Sequence, residues 1–237
     1  MTHDKAGFFS CLTTAIWTAL EIAQDGEIFH KIDNSYSMSS FKESSEDNTW
    51  GKLFKEKSKS EIQNTMKTPP ISTKRFNQHG NYIKILNEEL GREWTKEFLT
   101  AYMTPTPEVE NKANFFVNKY DIARKNTIAI CYRGTDKYKE VRPSPVSEYF
   151  AAIDQIIINE KNYQILIQTD QKQVRDKFLE KYKNQCIFIE ELPVTTGRKA
   201  VHNESAINLN RYEFSVNLYA MCLAISKSKH LLTHTGN

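Results

Sequence analysis

Glycine is scarce in this chain, at 8 of 237 residues. That scarcity argues against a glycine-rich dinucleotide binder, and no Gly-x-Gly-x-x-Gly run or Walker loop occurs. No serine sits in a nucleophile elbow. There is no Asp-x-Asp pair, so nothing obvious would hold a metal on a diphosphate, and the scattered histidines show no metal-ligand spacing. We therefore expect no metal and no cofactor. Cysteine is limited to Cys11, Cys131, Cys186 and Cys222, with no Cys-x-x-Cys pair. Two of them lie in apolar, strand-like runs, so buried free thiols in a reducing, cytoplasmic setting are expected. No apolar run approaches the roughly 18 residues of a membrane span. The opening MTHDKAGFF has no basic region followed by an apolar core, so no signal peptide is expected. Without one, Asn203-Glu204-Ser205 is a chance match to a glycosylation acceptor. The net charge of +3 is too weak to argue for a nucleic-acid partner or a membrane surface.

What the chain does have is an ordinary globular balance, 39% hydrophobic and 26% charged, and many aromatics, with 13 Phe and 11 Tyr. Its length suits one large domain or two small ones. The stretch Thr127 to Lys137, TIAICYRGTDK, organises the rest. Its first five residues are β-branched, apolar or thiol, and polar residues bound the run on both sides. Such a run reads as a buried parallel strand. A turn carrying Arg133, Gly134, Thr135, Asp136 and Lys137 follows at once. In open α/β sheets ligands sit just past the carboxyl ends of strands, so this looks like a strand delivering a charged loop to a site. A surface turn holding a salt bridge is the plainer alternative.

Taken in order, Gly7 to Ser10 reads as a loop feeding a helix from about Cys11 to Gln24. Glu27 to Asp33 reads as a strand, and together these make half of a βαβ unit. Ser35 to Asn48 is a loop by composition, and Trp50, Leu53 and Phe54 form a short helical patch. Residues 55 to 75 are Lys/Ser-rich and read as a long surface connection. From about Asn77 to Tyr120 the pattern is helical, with Tyr82, Ile85, Leu86 and Leu90 on one stripe and Trp94, Phe98 and Tyr102 on the next. Thr106 can cap a helix that starts at Pro107. After the central strand come a helix from Val146, a strand at 163–168 and a helix from about Lys172. A strand at 186–189, a polar loop at 190–207, a helix from Leu209 and a strand at 230–233 complete the series. This alternation predicts a doubly wound parallel sheet. Loops bearing Asp136, Asp170 and the Thr233 to Asn237 tail should emerge on one edge, with His202 and His234 near them.

Cys131-Tyr132-Arg133-Gly134-Thr135-Asp136-Lys137 resembles the first donor-binding motif of the α1,6-/α1,2-fucosyltransferase superfamily, roughly His-x-Arg-Arg/Gly-Thr-Asp-Lys. Ile167 to Asp170 resembles the family's Ala-Thr-Asp segment, and Leu232 to Asn237 its Thr-x-Ser-Asn/Gln phosphate loop. The resemblance covers about 126–237 well and 7–54 loosely. It implies a glycosyltransferase of the GT-B type with two Rossmann-type domains. Residues 1–120 would form an acceptor-side α/β domain. Residues 121–237 would form a nucleotide-sugar-binding domain, expected to be incomplete at its C-terminus. The implied partners are a nucleotide sugar, GDP-fucose, and a glycan or other hydroxyl acceptor, with transfer by inversion.

By the same resemblance Arg133 grips the diphosphate, and Gly134, Thr135, Asp136 and Lys137 belong to the donor site. Thr169 and Asp170 would bind nucleotide or ribose. Thr235, Gly236 and Asn237 would supply donors to the phosphates, and His202 lies near them. Glu140 is the carboxylate nearest the proposed reaction centre and a candidate general base, although a solvated loop glutamate is the plainer reading. The chain departs from the family where Cys131 replaces a His. It also lacks a carboxylate at Asn217 to Met221 that could read guanine. A non-catalytic nucleotide- or glycan-binding relative is the alternative.

Overall fold

The computed structural model describes residues 7–15, 31–33, 38–44, 46–67, 91–135, 144–197, 200–201 and 210–233. The chain divides into two compact units, Met1–Glu108 and Val109–Asn237.

In the first unit residues 8–15 are helical, so helix begins where the sequence suggests a loop. The reason is local. Phe8 and Leu12 are one helical turn apart and both buried, and Phe8 meets the Phe41 ring at 5.4 Å. The expected continuation to Gln24 and the strand from Glu27 fall mostly outside the described residues, and 31–33 are not in a strand. Helix α1 (Thr49–Leu53) carries Trp50 and Leu53, as expected. Helix α2 (Lys59–Thr65) lies where a bare surface connection is expected. Its start is set by a capping box. Ser58 Oγ accepts from Glu61 N at 3.3 Å, and Ser58 N donates to Glu61 Oε2 at 2.8 Å. Ile62 is the residue of this helix that is buried.

Helix α3 (Gly91–Tyr102) buries Phe98, Ala101 and Tyr102, with the Phe98 and Tyr102 rings 4.8 Å apart. Phe54 pairs with Pro105 as an antiparallel bridge. Lys55 N donates to Thr104 O at 2.8 Å and Thr106 N to Leu53 O at 3.0 Å. The stripe expected at Tyr82 to Leu90 lies outside the described residues.

Helix α4 (Pro107–Lys119) starts at Pro107 as expected, and the Thr106 hydroxyl donates to Lys52 O at 3.1 Å. The turn after α4 feeds β1 (Asn126–Tyr132), whose partners are β2 (Tyr163–Thr169), β3 (Cys186–Ile187) and β4 (His230–Thr233). These four strands form one sheet in the order β3-β2-β1-β4, and every described pairing is parallel. The third strand is shorter than its apolar run. Only Cys186 and Ile187 pair with β2, after which the chain leaves the sheet. The strands are linked by α5 (Val146–Ile157), α6 (Lys172–Tyr182) and α7 (Arg211–Ile225).

Successive strand residues point to opposite faces, and this alternation divides the core. Ile128 and Ile130 of β1, with Ile165 and Ile167 of β2, pack against Tyr149 and Ile153 of α5 and Val174 and Phe178 of α6. On the other face Gln164 Nε2 donates to Tyr120 O and to Thr127 Oγ1, both at 2.9 Å, so a buried amide is paid in hydrogen bonds. Helix α7 buries residues around most of its circumference, including Phe214, Val216, Ala220, Met221 and Ala224. Parallel strands with helices against them make this unit a Rossmann-like α/β fold.

Candidate functional site

The strand order sets where a ligand can sit. From β1 the chain steps outward to β2 and β3, then returns to the far side of β1 as β4. The order therefore reverses between β1 and β4. In open α/β sheets the crevice past the carboxyl ends of such neighbouring strands is the usual ligand position. Arg133, Gly134 and Thr135 leave β1 at that edge. Thr233 ends β4 one strand away, in register with Cys131.

The β1 loop is held by the turn after β2. Tyr132 is paired with Thr169, so the next residues of the two strands, Arg133 and Asp170, emerge side by side. Gly134 N donates to Asp170 Oδ1 at 3.1 Å, and the Thr135 hydroxyl donates to Asp170 Oδ2 at 2.6 Å. Gln171 Nε2 donates to Gly134 O at 2.9 Å. Gly134 and Thr135 are both buried. A side chain at position 134 has no room, because a Cβ there would lie 2.2 Å from Gln171 Oε1 and 2.7 Å from Tyr132 Cε1.

The turn after β2 is in turn tied to the loop after β3. Thr195 N donates to Asp170 O and Lys172 N to Thr195 O, each at 2.9 Å. Thr169 Oγ1 accepts from Gln171 N at 3.2 Å. Further back on that loop, Tyr120 OH donates to Glu191 Oε2 at 2.8 Å and accepts from Glu190 N at 2.9 Å. Lys119 Nζ reaches Glu191 Oε1 at 2.8 Å and Glu190 Oε2 at 3.2 Å. Three loops at one sheet edge are thus stitched into one piece.

Burial acts on the two thiols near this edge. It pushes the Cys131 thiol up to about 11 and the Cys222 thiol up to about 12, with nearby Cys131 adding to the second shift. Both thiols stay neutral at physiological pH. Tyr132 is raised by burial and then by the Asp170 charge, and its ring meets Tyr149 edge-on at 5.5 Å. None of the four cysteines is in a disulfide; Cys186 is buried and Cys11, Cys131 and Cys222 are half-buried.

Of the residues the sequence singles out, Arg133, Gly134, Thr135, Thr169 and Asp170 come together at this edge. Asp136, Lys137, Glu140, His202, Thr235, Gly236 and Asn237 lie outside the described residues. Both carboxylate oxygens of Asp170 accept from the β1 loop, and the Thr169 hydroxyl accepts from Gln171 N. Sequence reasoning passed over Gln171 and Thr195, and gave Tyr132 no role beyond its place in the β1-loop motif. Their contacts depend on strand register and cross long stretches of chain, and no local pattern carries them. Among the described residues no group of three or more His, Cys, Asp and Glu could hold a metal ion, and no helix is long and apolar enough to cross a membrane.

No protein-family model matches the chain. No curated protein matches it either.

Proposed function

We propose that the chain is a nucleotide-sugar-dependent glycosyltransferase, resembling the α1,6-/α1,2-fucosyltransferases, with GDP-fucose as donor and a glycan or other hydroxyl as acceptor. The observation that carries this reading is the β1 loop. An arginine leaves the strand beside the point where the strand order reverses, and the next two residues are fixed by Asp170. Breaking a sugar–phosphate bond builds negative charge on the leaving diphosphate and an oxocarbenium-like sugar. A guanidinium on a pre-set loop can meet that charge through two parallel hydrogen bonds, with little reorganisation as the bond breaks. Asp170 then serves the site by shaping the loop. The two-domain GT-B arrangement, with 1–120 for the acceptor and 121–237 for the donor, belongs to the same proposal. So do the roles of Asp136, Lys137, Glu140, His202, Thr235, Gly236 and Asn237.

A second reading, a nucleotide-binding relative without turnover, is favoured by one residue. Cys131 stands where the family has His, and a thiol pushed up to about 11 brings no positive charge to a phosphate. Incubation with GDP-fucose decides between them. Release of GDP, with fucose passed to an acceptor or to water, supports the transferase. Tight GDP binding with no release supports the binding module. Absence of binding to GDP or GDP-fucose contradicts both.

A further inference from the structure

Gln171 grips the β1 loop from a position just outside the three motifs that carry the fucosyltransferase resemblance. Gly134 is held at both ends, its N–H by Asp170 at 3.1 Å and its C=O by Gln171 Nε2 at 2.9 Å. The first bond fixes the peptide plane between Arg133 and Gly134, and the second fixes the next plane. Together they set the backbone direction in which Arg133 leaves the strand. Gln171 is itself held firmly. Its own N–H is donated to Thr169 Oγ1, and Thr195 bonds the peptide groups on either side of it. The Gln171 side-chain oxygen also fills the space that a Cβ at 134 would need. Gln171 and Gly134 are thus fitted to each other.

We infer that Gln171 is a positioning residue for a nucleoside-diphosphate site, acting through Gly134 to aim Arg133. The inference rests on the reading of Arg133 as the diphosphate-binding residue. The geometry distinguishes Gln171 from a residue that only stabilises the fold. Its amide does not enter the apolar core; it ends on the loop that carries the cation.

The test uses the full chain with two substitutions and two readouts. Gln171→Leu removes the donor at similar size. Gln171→Glu replaces it with a carboxylate that repels the Gly134 carbonyl at pH 7.5 but can donate once protonated. Asp170 and Tyr132 share its contacts with Gly134, and Arg133 lies on the same loop; the Asp170 charge raises the pH at which the new carboxyl takes up its proton, and the Arg133 charge opposes this. Gly134 amide exchange by NMR reads the loop, and GDP titration reads the site. Gln171→Leu should speed Gly134 exchange about tenfold and weaken GDP about tenfold at both pH 7.5 and pH 5. Gln171→Glu should be as weak at pH 7.5, yet approach wild-type affinity, measured at the same pH, near pH 5. Unchanged Gly134 exchange in Gln171→Leu overturns the inference. So does unchanged GDP affinity in both variants. If exchange responds but the wild type binds no GDP, Gln171 holds the loop without serving such a ligand. The inference and the diphosphate reading then fall together, whereas unchanged exchange with good GDP binding removes the inference alone.

Discussion

The Thr135 hydroxyl donates to Asp170 Oδ2 at 2.6 Å, joining the loop after β1 to the end of β2. Thr135 is fully buried, so this charge-assisted bond lies in a place water does not readily reach. Thr135→Val keeps the shape and removes the donor. It should lower stability by about 1.5–3 kcal/mol, the usual range for a hydrogen bond to a charged group. Urea unfolding with an unchanged slope checks this, and a loss below about 0.5 kcal/mol would show that the bond does not hold the loop.

Phe178 of α6 is fully buried, and its ring meets the Phe150 ring of α5 at 4.9 Å. It belongs to the same core as Ile128, Ile130, Ile165 and Ile167. Phe178→Ala should cost about 3–5 kcal/mol, through lost burial and the cavity left behind. A cost near 1 kcal/mol in urea unfolding would contradict packing of α6 against this face of the sheet.

Acid should loosen the helix layer through Asp154. The Lys181 ammonium holds the Asp154 carboxyl below its ordinary value, and the Tyr182 hydroxyl adds to this despite some opposing burial. The carboxylate lies 2.8 Å from Lys181 Nζ and 3.0 Å from Tyr182 OH. A group depressed in the folded state contributes stability that is present above its unfolded value, about 3.9. That contribution disappears as pH falls through the lower folded value. Glu160 behaves in the same sense, through Lys229 and then His230. Urea midpoints measured from pH 6 down to pH 3 should fall, and the fall should be shallower in Asp154→Asn. Equal slopes in the variant and the wild type would remove Asp154 from the account.

Much of the second unit is legible in its sequence, because Ile128 to Ile130 and Ile165 to Ile167 are apolar runs with polar residues at each end. Those runs are strands, and all are parallel in one sheet. The short β3 was less legible. Its apolar run continues to Ile189, but that side chain is buried after the chain has left the sheet. In the first unit, the Lys/Ser-rich composition of 55–67 hides α2. The Ser58-x-x-Glu61 pattern was the signal that composition alone obscured. At the site, Arg133 and Asp170 stood out as charges at strand ends. Gln171 and Thr195 did not, because their roles exist only once register brings three loops together.

The proposal leaves diphosphate neutralisation to Arg133 and to backbone donors, in a sequence with no Asp-x-Asp pair. GDP affinity should therefore be the same, within about twofold, with EDTA as with magnesium or manganese. Affinity abolished by the chelator and restored by either ion would contradict this mode of binding.

The most direct measurement is a GDP titration of the wild type, Arg133→Ala and Arg133→Lys. If Arg133 clamps the diphosphate, Arg133→Ala should weaken binding by about 1.5–3 kcal/mol, roughly ten- to a hundredfold. Arg133→Lys should recover little of it, because an ammonium keeps the charge but loses the planar fork. Any loss of folding stability in either variant should be smaller than the loss of GDP binding energy. Wild-type GDP affinity in Arg133→Ala would contradict the donor-site assignment, and the glycosyltransferase reading with it.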